Sequence, residues 1–134
     1  MDSDYVADVP PMHPYWDPGP VVPPVPPSAE TLASRALGER IVAHSGRLSA
    51  GTCRWLLMVA EFDQRDGASA FGFPTTSAWL AYSCGLTRRT AIEHVRVARY
   101  LAAFPELAAQ MSAGRLSYSQ VRAISRALTL PTAR

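Results

Sequence analysis

Apolar residues recur along most of this chain at helical spacing. Leu32, Ala36, Leu37 and Ile41, with Ala33 and Val42 beside them, predict a helix over Ala29–His44 that starts at the cap residue Ser28 and is ended by Ser45-Gly46. Trp55, Leu56, Val59 and Phe62, widened by Leu57 and Ala60, predict a second helix from Ala50 to Asp66, stopped by Gly67. These two are expected to form an antiparallel pair. Gly67–Pro74 reads as a turn or extended connector, with Phe71 and Phe73 tucked against the helices. A short helix, Ser77–Cys84, follows a cap at Thr75 or Thr76 and carries Trp79 and Leu80 as core anchors.

Gly85 then turns the chain, and Thr87 caps a helix reaching Phe104. Its inward face is Ala91, Val95, Ala98, Leu101 and Ala102. Thr90-x-x-Glu93 has the form of a capping box one turn later. Pro105 opens another short helix where proline is tolerated, and Gly114 closes it. Ser117-x-x-Gln120, flanked by Leu116 and Val121, predicts both a capping box and a hydrophobic staple for a last helix, Tyr118–Leu128. No strand pattern emerges. The expected fold is all-α, a helical bundle with a helix-turn-helix-like segment over residues 28–134.

Residues 1–27 differ in kind. They are dense in proline, end in PVVPPVPP, and carry Asp2, Asp4, Asp8 and Asp17 with no basic residue. Such a run cannot form helix or central strand, so a disordered acidic tail is expected. It has no apolar core and is not a secretory signal. No run in the chain is apolar enough to span a membrane, so the expected location is the cytoplasm. The chain stops at Pro131-Thr132-Ala133-Arg134 with nothing polar or Gly-rich preparing an end, as expected of a fragment of a longer product.

Charge sharpens this picture. All 13 basic residues are arginine. Five of them meet five acids between Ser28 and Cys84, but eight stand against only Glu93 and Glu106 from Gly85 onward. An arginine excess of this kind points to a polyanion partner. It coincides with a helix-turn-helix pattern. Ala81 is the small residue of the first helix, and Gly85, four residues on, is the turn residue tolerant of positive φ. Leu86 is the apolar residue after it, and Thr87 is the cap. Arg88, Arg89 and Thr90 then sit where a recognition helix meets bases and phosphates, reinforced by the helix N-terminus. Arg96, Arg99, Arg115 and Arg122 are expected to hold flanking phosphates. Glu93 paired with Arg89 or Arg96 would instead make an ordinary solvated face.

Cys53 and Cys84 read as two small buried residues. His13, His44 and His94 are too scattered to complete a zinc site, and neither metal nor cofactor is expected. His94, mid-helix beside Glu93, reads as a structural histidine because no partner at suitable spacing makes it a base. Ser117 and Ser119 read as capping and surface residues.

The order Phe104-Pro105-Glu106-Leu107, Gly114-Arg115-Leu116-Ser117, Arg122-Ala123-Ile124 resembles chromosome-partition proteins of the ParB type over about the last third of the chain. A denser resemblance covers Ala50–Arg134. It rests on AEFDQRDGASAFGFPTTSAWL, Leu80-Ala81, Cys84-Gly85-Leu86, Arg89-Thr90-Ala91, Glu93 through Arg99, and Leu116-Ser117-Tyr118-Ser119. These look like the actinobacterial domain of unknown function found in front of HNH endonuclease modules, the family that includes mycobacterial REP-element repeat proteins. The resemblance implies a nuclease module whose histidines would lie beyond Arg134. This chain is therefore expected to bind or position duplex DNA without cutting it. Two other readings stay open: a protein-interaction or homodimerisation module built on Trp55, Phe62, Trp79 and Tyr100, and an inactive fragment of a longer endonuclease.

Overall fold

The computed structural model describes residues 19–131. The expected acidic tail lies largely outside them. Residues 19–27 are exposed and carry no helix or strand.

The largest departure from expectation comes first in the chain. The two helices predicted over Ala29–His44 and Ala50–Asp66 are one, α1, Ala29–Gln64, of 36 residues. At 1.5 Å per residue it is about 54 Å long. Ser28 caps it as expected, its Oγ accepting from the Thr31 amide at 3.1 Å. Ser45-Gly46 does not end it. A mid-helix glycine costs about 1 kcal/mol relative to alanine, which weakens a helix without breaking it. The Gly46 backbone is also part of a tertiary contact. The turn at Gly114 (φ +79°) passes so close that a Cβ on Gly114 would lie 3.0 Å from the Gly46 carbonyl oxygen.

The two halves of α1 therefore have different surroundings. Cys53, Leu56, Val59 and Ala60 are buried, with Trp55 and Leu57 packed against them. Leu32, Leu37, Ile41 and Val42, expected to face a partner helix, are exposed, because no antiparallel helix among the described residues covers them.

The end of α1 differs in mechanism. Asp66 adopts the left-handed conformation (φ 53°), not Gly67. Gly67 is needed for space, since a Cβ there would run into the Phe62 ring. The expected connector is partly a 3₁₀ turn, Gly67–Phe71. The Phe71 ring lies 5.4 Å from that of Trp79 and 6.2 Å from that of Phe62, although Phe71 remains largely exposed.

Thr75 caps α2, Thr76–Cys84, its Oγ1 accepting from the Ala78 amide at 3.1 Å. Gly85 turns in the left-handed region (φ 67°), and the Leu86 amide donates back to the Ala81 carbonyl at 3.0 Å. Thr87 caps α3, Arg88–Ala103. Ala91, Val95, Ala98 and Leu101 are buried as expected, joined by Val97, while Ala102 is exposed. The second expected capping box is absent: Thr90 bonds to Thr87, and the Glu93 carboxylate is taken by arginines.

Pro105 opens α4, Pro105–Ser112. The predicted box at Ser117 and Gln120 is formed reciprocally and starts α5, Tyr118–Ser125, three residues shorter than expected. Turns then carry the chain to Leu128, whose carbonyl accepts from the Tyr100 hydroxyl at 3.1 Å. Leu116 packs against the core that holds Val121. The core joins the second half of α1 to α3 and α4, with Leu80, Met111 and Val121 completing it. Cys53 is buried there, its thiol donating to the Ala108 carbonyl at 3.4 Å, but Cys84 ends α2 and is exposed, against expectation. The described residues form five α-helices without a strand, an all-α fold. No helix among them is long and apolar enough to cross a membrane.

Candidate nucleic-acid interface

The helix pair α2–Gly85–α3 presents the first turn of α3 to solvent. Thr87 fixes that turn: its Oγ1 accepts from the Thr90 amide at 3.1 Å and its hydroxyl donates to Thr90 Oγ1 at 2.8 Å. Arg88 and Arg89 stand there exposed, and neither meets a carboxylate among the described residues.

The other expected phosphate-holding arginines are engaged. Arg96 forks onto Glu93, Nη2 donating to Oε1 at 2.6 Å and Nε to Oε2 at 3.1 Å, and lies 5.5 Å over the Tyr100 ring. Arg122 Nε, from α5, and Arg126 Nη2, from the residue that caps its C-terminus, donate to the same Glu93 Oε1 at 2.8 and 3.2 Å. Three guanidiniums thus share one carboxylate, which is only 20% exposed. The hydrogen bonds from Arg96, opposed by burial and aided by Arg122, lower its pKa to about 2. Arg99 instead crosses to α1, Nε donating to Asp63 Oδ2 at 2.9 Å. Burial works against the Asp63 charge, but bonds from Arg99 and from the Thr76 hydroxyl (2.6 Å) outweigh it and hold the carboxyl below its usual range. Arg115, in the α4–α5 turn, donates to Gln110 Oε1 at 2.7 Å.

A model of the domain of unknown function DUF222 matches residues 34–134. The chain belongs to that family. No curated protein and no solved structure matches it.

Within this DUF222 domain the eight predicted site residues divide. Arg89, Thr90 and Arg122 come together, lining one cleft of about 230 Å³ with Glu93, His94 and Tyr118. Arg88 and Thr87 flank it on the same turn of α3, and Arg96 reaches it through Glu93. Arg99 and Arg115 belong to other surroundings. His94 is structural in its contacts, edge-on to Trp55 at 5.5 Å and 4.8 Å from the Tyr118 ring. Its Nδ1 lies 2.9 Å from the Thr90 carbonyl, which can only accept, so Nδ1 carries the proton. Burial, then the nearby Glu93 charge, raises the Tyr118 pKa. Ser117 is a cap, as expected. Among the described residues no three His, Cys, Asp or Glu side chains gather as metal ligands.

Sequence reasoning missed Arg126 and Tyr118 as members of this cluster. Arg122 and Arg126 are four apart and share a face of the last turn, which was visible in the chain. Their meeting with Glu93, 29 and 33 positions away, was not.

Proposed function

We propose that this domain binds duplex DNA by seating the first turn of α3 in the major groove. The observation that carries the reading is the contrast among the arginines. Arg96, Arg99, Arg122 and Arg126 are all tied to carboxylates. Arg88 and Arg89, on the turn that the Gly85 bend exposes, have no carboxylate to neutralise them among the described residues. Thr90 stands beside them. Free guanidinium forks at a helix N-terminus suit phosphate and guanine edges.

Fluorescence anisotropy of the full chain with labelled duplex, over a salt series, tests this. Binding should weaken steeply with salt. Arg88→Ala with Arg89→Ala should flatten the log–log slope by up to about 1.8, at about 0.9 per phosphate contact. No binding at low salt, or an unchanged slope, would remove the reading.

The proposal extends to context. The resemblance to domains that precede HNH endonuclease modules in actinobacterial repeat-element proteins supports a reading in which this domain holds DNA, in the cytoplasm, for a separate cutting module. An adjoining reading frame with an H-N-H pattern is expected; an unrelated one would detach the domain from nuclease chemistry.

A second reading, self-association, is favoured by one feature. Leu37, Ile41, His44 and Leu48 follow the 4-3-4 spacing of a coiled-coil seam, and the three aliphatics are 54, 61 and 67% exposed. They form one open apolar face of α1. Light scattering discriminates: a dimer that Ile41→Glu dissociates, without effect on DNA, supports this second role.

A further inference from the structure

The cleft between α3 and α5 has a donor surplus that its own residues do not absorb. Its single carboxylate among the described residues, Glu93, already accepts four N–H bonds, three on Oε1 from Arg96, Arg122 and Arg126 and one on Oε2 from Arg96. A carboxylate offers about four lone-pair sites. The donors, by contrast, are underused. Arg122 commits only Nε, so its terminal edge, the one that grips a tetrahedral oxyanion by two parallel bonds, is unengaged among the described residues. Arg89 commits nothing there. Thr90 Oγ1 accepts from Thr87, which leaves its own hydroxyl proton to donate.

Tyr118 is in the same position. His94 Nδ1 carries the proton it gives to the Thr90 carbonyl, so at 3.3 Å the Tyr118 oxygen can only accept from it. The phenolic O–H is left without an acceptor among the described residues. Charge runs the same way. Arg96, Arg122 and Arg126 hold one carboxylate and Arg89 lines the same cleft, four positive charges against one negative among the described residues. Glu93 stays ionised down to a pH of about 2, so this balance is constant across the working range. The cleft's volume, about 230 Å³, corresponds to several waters at about 30 Å³ each, room for a small hydrated anion.

The geometry points to this cleft as a seat for a phosphate group, gripped by the Arg89 and Arg122 guanidiniums and the Thr90 and Tyr118 hydroxyls. Glu93 is a positioning residue: it fixes Arg122 by Nε and leaves the terminal edge turned to the ligand. The seat rests on the duplex-binding reading only for the source of its phosphate, a strand backbone beside the groove entered by α3. Free phosphate has the same chemistry and provides an independent probe.

Inorganic phosphate is titrated into the ¹⁵N-labelled full chain at constant ionic strength, with chloride as the control. The side-chain Nε–Hε signal of Arg122 and the ring signals of Tyr118 and His94 are followed. Saturable shifts confined to the cleft are expected with phosphate and not with chloride. Tyr118→Phe keeps the ring packing and removes the hydroxyl, its O–H donor included, while His94 Nδ1 keeps its bond to the Thr90 carbonyl. It should weaken phosphate about tenfold, the effect of one hydrogen bond to a charged group, and Arg122→Gln by at least as much. Shifts that chloride reproduces, or an affinity that Tyr118→Phe and Arg122→Gln leave intact, would overturn the seat. A duplex titration of the same variants separates the two proposals. If DNA binds through Arg88 and Arg89 while phosphate leaves the cleft silent, the seat falls and the duplex reading stands. If phosphate binds as described and duplex does not, the reverse holds.

Discussion

At the scale of single residues, Glu93 and the Gly46–Gly114 pair give the sharpest expectations. The folded pKa of Glu93 lies at about 2, below its ordinary 4.5. The stability it contributes is therefore fully present above pH 4.5 and lost as pH falls through 2. Wild-type urea midpoints should drop across that window, and Glu93→Gln should flatten that part of the curve. At neutral pH the same variant leaves three guanidiniums around an amide and should cost about 1–3 kcal/mol. The two glycines should respond with opposite signs. Gly114→Ala puts a Cβ at φ +79° and 3.0 Å from the Gly46 oxygen, and should cost about 1–2 kcal/mol or more. At Gly46 a Cβ would lie 3.7 Å from the Gly114 oxygen, an ordinary contact, so Gly46→Ala should stabilise by about 0.5–1 kcal/mol. Thermal and urea denaturation of both variants checks the pair. These residues also mark where reading the chain ran out. Arg88, Arg89 and their cap Thr87 are local features, legible from three consecutive positions. The Glu93 cluster joins residues 29 and 33 apart through packing that no spacing rule encodes.

At the scale of elements, capping chemistry located helix starts well. Ser28, Thr75, Thr87 and Ser117 all accept the amide three residues on. Each is a short-range hydrogen bond, which is why the sequence pattern reveals it. The continuity of α1 was hidden for the converse reason. Gly46 has the local signature of a stop, but the helix runs through it, and the turn at Gly114, 68 residues later, packs on its backbone and not on its missing side chain. The two halves of α1 should therefore answer mutation differently. Leu56 is fully buried, and Leu56→Ala should cost about 2–5 kcal/mol. Ile41 is 61% exposed, and Ile41→Glu should change the monomer's stability by no more than about 0.5 kcal/mol. A large loss for Ile41→Glu that scales with protein concentration would show instead that the first half of α1 is stabilised by a second copy.

At the scale of the whole molecule, the charge distribution links the two ends of the chain. Four aspartates and no basic residue precede Ser28, and eight arginines against two acids follow Cys84. If the guanidiniums of Arg88 and Arg89, which meet no carboxylate among the described residues, bind DNA, the acidic N-terminal residues compete for them as a tethered polyanion. Asp2, Asp4, Asp8 and Asp17, all outside the described residues, can be replaced by Asn in the full chain. The variant should bind duplex several-fold more tightly at about 50 mM salt. The gain should fade above about 0.3 M, where the screening length falls to roughly 5–6 Å and exposed charges cease to sense one another. The salt dependence is the discriminating part. A competitor that acts through charge loses its effect as salt rises. An affinity gain that persists at high salt would mean that the tail blocks the α3 turn by contact instead, and unchanged affinity at low salt would show that the tail and the α3 turn do not communicate.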